Sequence, residues 1–130
     1  MTTATTFERG NATIQDSLDH RAREASARYL GLRGYEVLAK DWRCDGDSVD
    51  IVCRDVDGTL VFVDVSASVE CFPRAECIRG RRARLEAMAM SYLAEYEEVD
   101  VAVRFDTIGI VPVGEDRAFL RHNVNALGIL

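Results

Sequence analysis

Two aspartates stand inside apolar runs of the chain, Asp50 in SVDIV and Asp64 in VFVDV. A carboxylate in a strand interior is costly unless it is paired, hydrogen-bonded or bound to a cation. The runs are joined by the turn cluster Asp55-Val56-Asp57-Gly58 and so predict an antiparallel hairpin. If residue 54 pairs with 60, Asp50 faces Asp64 with Cβ atoms about 5 Å apart. Two such oxygen donors can hold Mg²⁺, with waters and a phosphate in the other positions. If the register differs by one residue, Asp50 opposes Val63 and the pair is broken. The bland alternative is two aspartates solvated at the sheet rim.

Other residues carry weaker signals. Arg79, Arg81, Arg82 and Arg84 open a helical stretch. Their forked donors suit phosphates, against the plainer reading of a solvated face. Cations at a helix N-terminus oppose its dipole, so helix stability does not explain them. Trp42 and Arg43 invite base stacking, though a tryptophan at a strand end is more often a packing cover. Arg104 and Asp106 flank Phe105 and predict a local ion pair on one strand face. His122 is a metal-ligand candidate or, more simply, a packing histidine. Tyr29 and Tyr92 fall on apolar helix faces as core residues with a wet hydroxyl. The cysteines at 44, 53, 71 and 77 form no C-x2-C pair, which argues against zinc and for reduced thiols, Cys53 in the core.

The elements that must position these residues follow from periodicity. Residues 1–15 are polar and Thr-rich and predict a flexible tail or first-turn approach. Leu18, Ala22, Ala25, Tyr29 and Leu30 line one face of a helix beginning near Asp16, with Gly31 and Gly34 as left-handed stops. Residues 35–39 read as a strand. Residues 48–54 form a second, with Val49, Ile51 and Cys53 on one face. Residues 59–65 form a third, apolar on both faces and central. After an irregular stretch with Pro73, a helix from about Cys77 to Tyr96 carries the stripe Leu85, Met88, Ala89, Tyr92, Leu93 and Tyr96. Residues 99–113 are strand-like, Gly114-Glu115-Asp116 is a turn, and the last 14 residues make a short amphipathic end. The order α-β-β-β-α-β predicts one α/β domain over 16–130 with a mixed central sheet flanked by helices.

Composition bounds the function. The chain has 130 residues and a net charge of -6, the wrong sign for a generic nucleic-acid binder. Fifteen of its 16 basic residues are Arg, and Lys40 is the only lysine. No stretch reaches the roughly 20 apolar residues of a membrane span, and residues 1–16 have no signal-peptide core. A cytoplasmic location is the expectation.

Several stretches in this order resemble the YraN-like family of small bacterial proteins, which has a restriction-endonuclease-like fold of the PD-(D/E)xK nuclease type. They are ARYLGLRGYEVLAKDWRC, DSVDIVCRDVDGTLVFVDVSAS, RRARLEAMAMSYL, VRFDTIGI and FLRHNVNAL. The central piece resembles the family's hairpin, G-E-I-D-L-I followed by F-V-E-V-K. The resemblance implies that Asp50 is the metal-binding aspartate, that Asp64 is the acidic member of (D/E)xK, and that Mg²⁺ is the cofactor of an active site. Arg81 and Arg84 match the family's basic helix positions.

The departures concern catalysis. The lysine of (D/E)xK falls on Ser66, the glutamate before I-D-L-I on Ser48, and the first-helix glutamate on Arg23, with Glu24 one position late. An ammonium beside the metal orients or deprotonates the attacking water and offsets transition-state charge. A serine hydroxyl cannot, and such a loss removes on the order of 10²–10⁴ in rate. Lys40 is the only lysine that could replace it, because an Arg does not exchange protons near neutral pH. The expectation is a nuclease-like domain that interacts with nucleic acid, with weakened or lost catalysis. Its expected partner is DNA, branched or damaged as the resemblance implies, and a homodimer is compatible with this reading. The alternatives are an active Mg²⁺-dependent DNA endonuclease and a non-catalytic protein-interaction module.

Overall fold

The computed structural model describes residues 2–69, 81–98 and 100–126. Helix α1 (Thr2–Leu32) leads into strands β1 (Glu36–Cys44), β2 (Asp47–Arg54) and β3 (Leu60–Ala67). Helix α2 (Arg82–Glu95) and strands β4 (Val103–Val113) and β5 (Arg117–Asn123) follow. The expected helix start near Asp16 is therefore too late. The preceding residues contain no proline, and a Thr or Gly costs only about 0.5–1 kcal/mol within a helix, so nothing there forces a boundary. Of the two expected stops, Gly34 has the left-handed φ of +95°. It lets Tyr35 N–H donate to Leu30 O at 3.0 Å.

The five strands lie in the order β1-β2-β3-β4-β5. β3 pairs antiparallel with β2 and parallel with β4, and β5 returns antiparallel on β4. The architecture is thus α/β with a mixed sheet, and β3 is central as its two apolar faces require. β5 corrects the expectation of a short amphipathic end. The turn at 114–116 folds the chain back, but inward-facing residues such as Leu120 and His122 are too few to announce a strand by alternation.

One face of the sheet packs Ile51, Cys53, Val61, Val63, Ile108 and Ile110 against Ala22 and Leu30 of α1. The other packs Val49, Val52, Leu60 and Phe62 against Leu85, Met88, Ala89 and Tyr92 of α2. The expected stripe of α2 is right except at Tyr96, which is exposed and leans on Tyr92 at 4.5 Å between ring centroids. Trp42 is a packing cover, edge-on to Tyr92 at 5.2 Å. The expected segment from Cys77 to Gly80, with Cys71, Pro73 and Arg79, lies outside the described residues.

Val49 is a further correction, since it packs with the α2 face rather than beside Ile51 and Cys53. The alternation of β2 slips at Asp50. Across from it, β1 pairs Lys40 with Ile51 and Trp42 with Val49, leaving Asp41 between them with a left-handed φ of 51°. An aspartate tolerates that conformation better than most residues.

Candidate functional site

The hairpin register is Arg54↔Leu60, Cys53↔Val61, Val52↔Phe62 and Ile51↔Val63. Its next step sets Asp50 opposite Asp64, but there the backbone ladder ends. The Val65 N–H donates instead to Asp50 Oδ2 at 2.7 Å. A side chain thus closes the gap where β2 and β3 part.

Asp64 is nearly buried and projects toward α2. Arg81 Nη1 lies 2.5 Å from its Oδ2 and Arg84 Nη2 lies 3.2 Å from its Oδ1. The two arginines reach it together because Arg81 is the N-cap of α2 and Arg84 lies about one turn later. Arg81 Nη1 also donates to Ser66 Oγ at 2.5 Å, since Ser66 shares Asp64's strand face at i and i+2. From the opposite helix, Arg23 Nη2 stands 3.5 Å from Asp50 Oδ1. The buried Arg23 Nε has no hydrogen-bond partner among the described residues.

Burial pushes the Asp50 carboxyl up to about 6, against the Val65 N–H, which favours the anion. The neighbouring Asp64 carboxylate raises it further and Arg23 lowers it. Near pH 6 the Asp50 carboxyl is therefore about half ionised.

The expected site residues divide. Asp50, Asp64, Ser66, Arg81 and Arg84 come together. Arg82 does not, since its Nε is paired along the helix with Glu86 at 2.8 Å. Glu24 is held by Lys40 Nζ at 3.0 Å on a half-exposed surface, and that hydrogen bond holds its carboxyl below the usual range. Lys40 is thereby committed to Glu24 and does not reach the Ser66 position. A helix turns about 100° per residue, so Arg23 rather than Glu24 faces Asp50.

The fit of a divalent ion is tested by this donor set. Each of the four carboxylate oxygens already receives a donor, and three of those donors are cationic. No group of three or more His, Cys, Asp or Glu side chains able to hold a metal occurs among the described residues. As placed, these residues do not fit Mg²⁺, which asks for oxygen ligands at about 2.0–2.1 Å and a net anionic site.

A second polar centre was legible in the sequence only as the Arg104–Asp106 pair. Asp106 is fully buried. It accepts from Arg104 Nε at 2.9 Å, the His122 imidazole at 2.8 Å and the Asn125 N–H at 2.8 Å. These interactions lower its pKa against the opposing, and largest, effect of burial. Arg104 also reaches Asp55 and the Tyr35 hydroxyl, each at 2.8 Å, and Tyr29 OH meets His122 Nδ1 at 3.2 Å. The expected Arg104–Asp106 pair is present, and His122 is a packing histidine within it. A saturated network of this kind ties α1, β4 and β5 together.

Residues 22–110 match the model of the uncharacterised protein family UPF0102. A UPF0102 protein of Ralstonia nicotianae is 39% identical over 95 residues, covering 68% of this chain and 73% of its own length. One of Roseiflexus castenholzii is 48% identical over 75 residues, 55% of this chain and 60% of its own. One of Beutenbergia cavernae is 31% identical over 111 residues, 83% of this chain and 93% of its own.

Proposed function

The chain belongs to the UPF0102 (YraN) family, and from that premise we propose that it is a nucleic-acid-binding domain on a nuclease-like scaffold with weakened or lost catalysis. The observation that carries this reading is the contact of Arg81 Nη1 with both Asp64 and Ser66. Where the resemblance implies a lysine, the chain has a hydroxyl, and the nearest cation is a guanidinium. That group is charged at all working pH values and cannot shuttle a proton. It can bind. A guanidinium has five N–H donors, and the contact of Arg84 with Asp64 uses a single nitrogen. Both Arg81 and Arg84 remain about one-third exposed, so their other donors can meet a phosphate.

The acidic average does not oppose this. It is spread over the whole chain, whereas the centre has more arginines than carboxylates among the described residues. Orientation of a phosphodiester on such a centre needs no proton transfer. Hydrolysis would need one, and neither Ser66 nor Arg81 supplies it.

Fluorescence anisotropy with single-stranded, duplex and branched DNA tests the reading. The expected log-log salt slope is about -2 to -3, as two or three phosphate contacts require, falling by about one in Arg84→Ala. Cleavage in Mg²⁺ or Mn²⁺ should not exceed that of Asp50→Ala. Metal-dependent cleavage abolished by Asp50→Ala would make the chain a working endonuclease. A flat salt response would leave a protein-interaction module.

A further inference from the structure

The same centre says how its ligand is held. Asp64 Oδ2 is 2.5 Å from Arg81 Nη1 and Asp64 Oδ1 is 3.2 Å from Arg84 Nη2. An ion bound to either oxygen would sit within a few ångströms of a guanidinium and be repelled by it. Asp50 offers no relief, because Val65 N–H and Arg23 already occupy its two oxygens. Arg23 brings a third cation whose buried Nε is unmet among the described residues. Among the described residues, three cations and two carboxylates leave a positive surplus that an anion, not a cation, completes.

We propose that Arg81 and Arg84 take the place of a divalent ion on Asp64, so that this centre receives a phosphate oxyanion directly on guanidinium nitrogens. The identity of the ligand, a phosphodiester, rests on the reading given above; the exclusion of the ion rests on the contacts alone. Asp64 here is a positioning residue. It fixes the two guanidiniums as a rigid pair and so lowers the ordering cost of binding. Ser66 does the same for Arg81 through its Oγ. Replacement of either carboxylate oxygen's partner therefore changes which charge the centre accepts.

Two titrations of the full chain separate the parts. The first follows Mn²⁺ by electron paramagnetic resonance. Wild type and Asp64→Asn should bind it equally poorly, within about twofold. The Arg81→Gln/Arg84→Gln double variant should bind it at least about tenfold more tightly, with the gain lost when Asp64→Asn is added. The second follows a short fluorescent single-stranded DNA. Its affinity should agree within about twofold in EDTA and in Mg²⁺, and fall about tenfold in the double variant. Wild-type Mn²⁺ binding that Asp64→Asn removes overturns the proposal. So does a double variant that is folded by circular dichroism yet gains no Mn²⁺, or DNA binding that requires Mg²⁺. If the double variant does not fold, the comparison of wild type with Asp64→Asn still decides. Absence of DNA binding under both conditions refutes the nucleic-acid reading, while the Mn²⁺ titration continues to report on the arginine pair.

Discussion

Asp50→Asn is expected to make the protein more stable at pH 8. The Asp50 carboxyl is raised from 3.8 to about 6, first by burial, with the Asp64 carboxylate adding to the rise and the Val65 N–H and Arg23 opposing it. A raised acid holds its proton more tightly in the folded chain than in the unfolded one. Between about pH 4 and pH 6 the native state therefore binds more protons, and stability falls as pH rises through that window. The stabilisation is complete below the unfolded value and gone above about pH 6. At about 1.4 kcal/mol per pH unit, holding the ionised carboxylate costs the fold about 3 kcal/mol. An amide keeps the shape, and its oxygen can still accept the Val65 N–H. It loses the 3.5 Å contact with Arg23, a long and partly exposed pair worth about 0–1 kcal/mol. The net gain at pH 8 is then about 2–3 kcal/mol. Urea denaturation between pH 4 and pH 8 measures it. Wild type should lose stability relative to the variant across pH 4–6, with the two converging at the acid end. A variant less stable than wild type at pH 8, or one with an unchanged pH slope, refutes this account of Asp50.

Further outcomes follow from other parts of the fold. Asp106→Ala leaves the Arg104 and His122 sides of a buried network without their shared acceptor and should cost about 3–5 kcal/mol in urea denaturation. Gly34→Ala places a Cβ 3.2 Å from Val56 Cγ1 at a φ of +95° and should cost about 1–2 kcal/mol by the same assay. The Cys53 thiol, fully buried and pushed up to about 12 chiefly by burial, should resist alkylation at pH 8 in the native chain, and mass spectrometry should find the partly exposed Cys44 labelled before it.

The hairpin was legible because two apolar runs flank the turn cluster at 55–58, but its register was one of two that the sequence left open. The pairing of 54 with 60 then brought Asp50 to Asp64, as one of the two registers requires. The face of Val49 was not legible. It depends on a slip at Asp50 that answers the left-handed Asp41 on the neighbouring strand, and no property of Val49 itself reports it. The α2 stripe was legible because Leu85, Met88, Ala89 and Tyr92 keep helical spacing. The start of α1 was not, because polar residues without a breaker mark no boundary. Arg82 and Arg84 look alike in sequence, yet the first turns to Glu86 and the second to Asp64.

The sequence by itself determined the α/β class, the central position of β3 and the presence of two aspartates in apolar strands. These follow from local periodicity, which backbone geometry translates directly into buried faces. It also showed that the only lysine stands outside the hairpin. Tertiary structure alone decided what surrounds the aspartates. Arg23 arrives from α1, Arg81 and Arg84 from α2, and the Val65 N–H from a ladder that ends one residue early. Electrostatic environment is set by groups distant in sequence and close in space, so the sign of the charge at this centre could be read only once both helices were packed on the sheet.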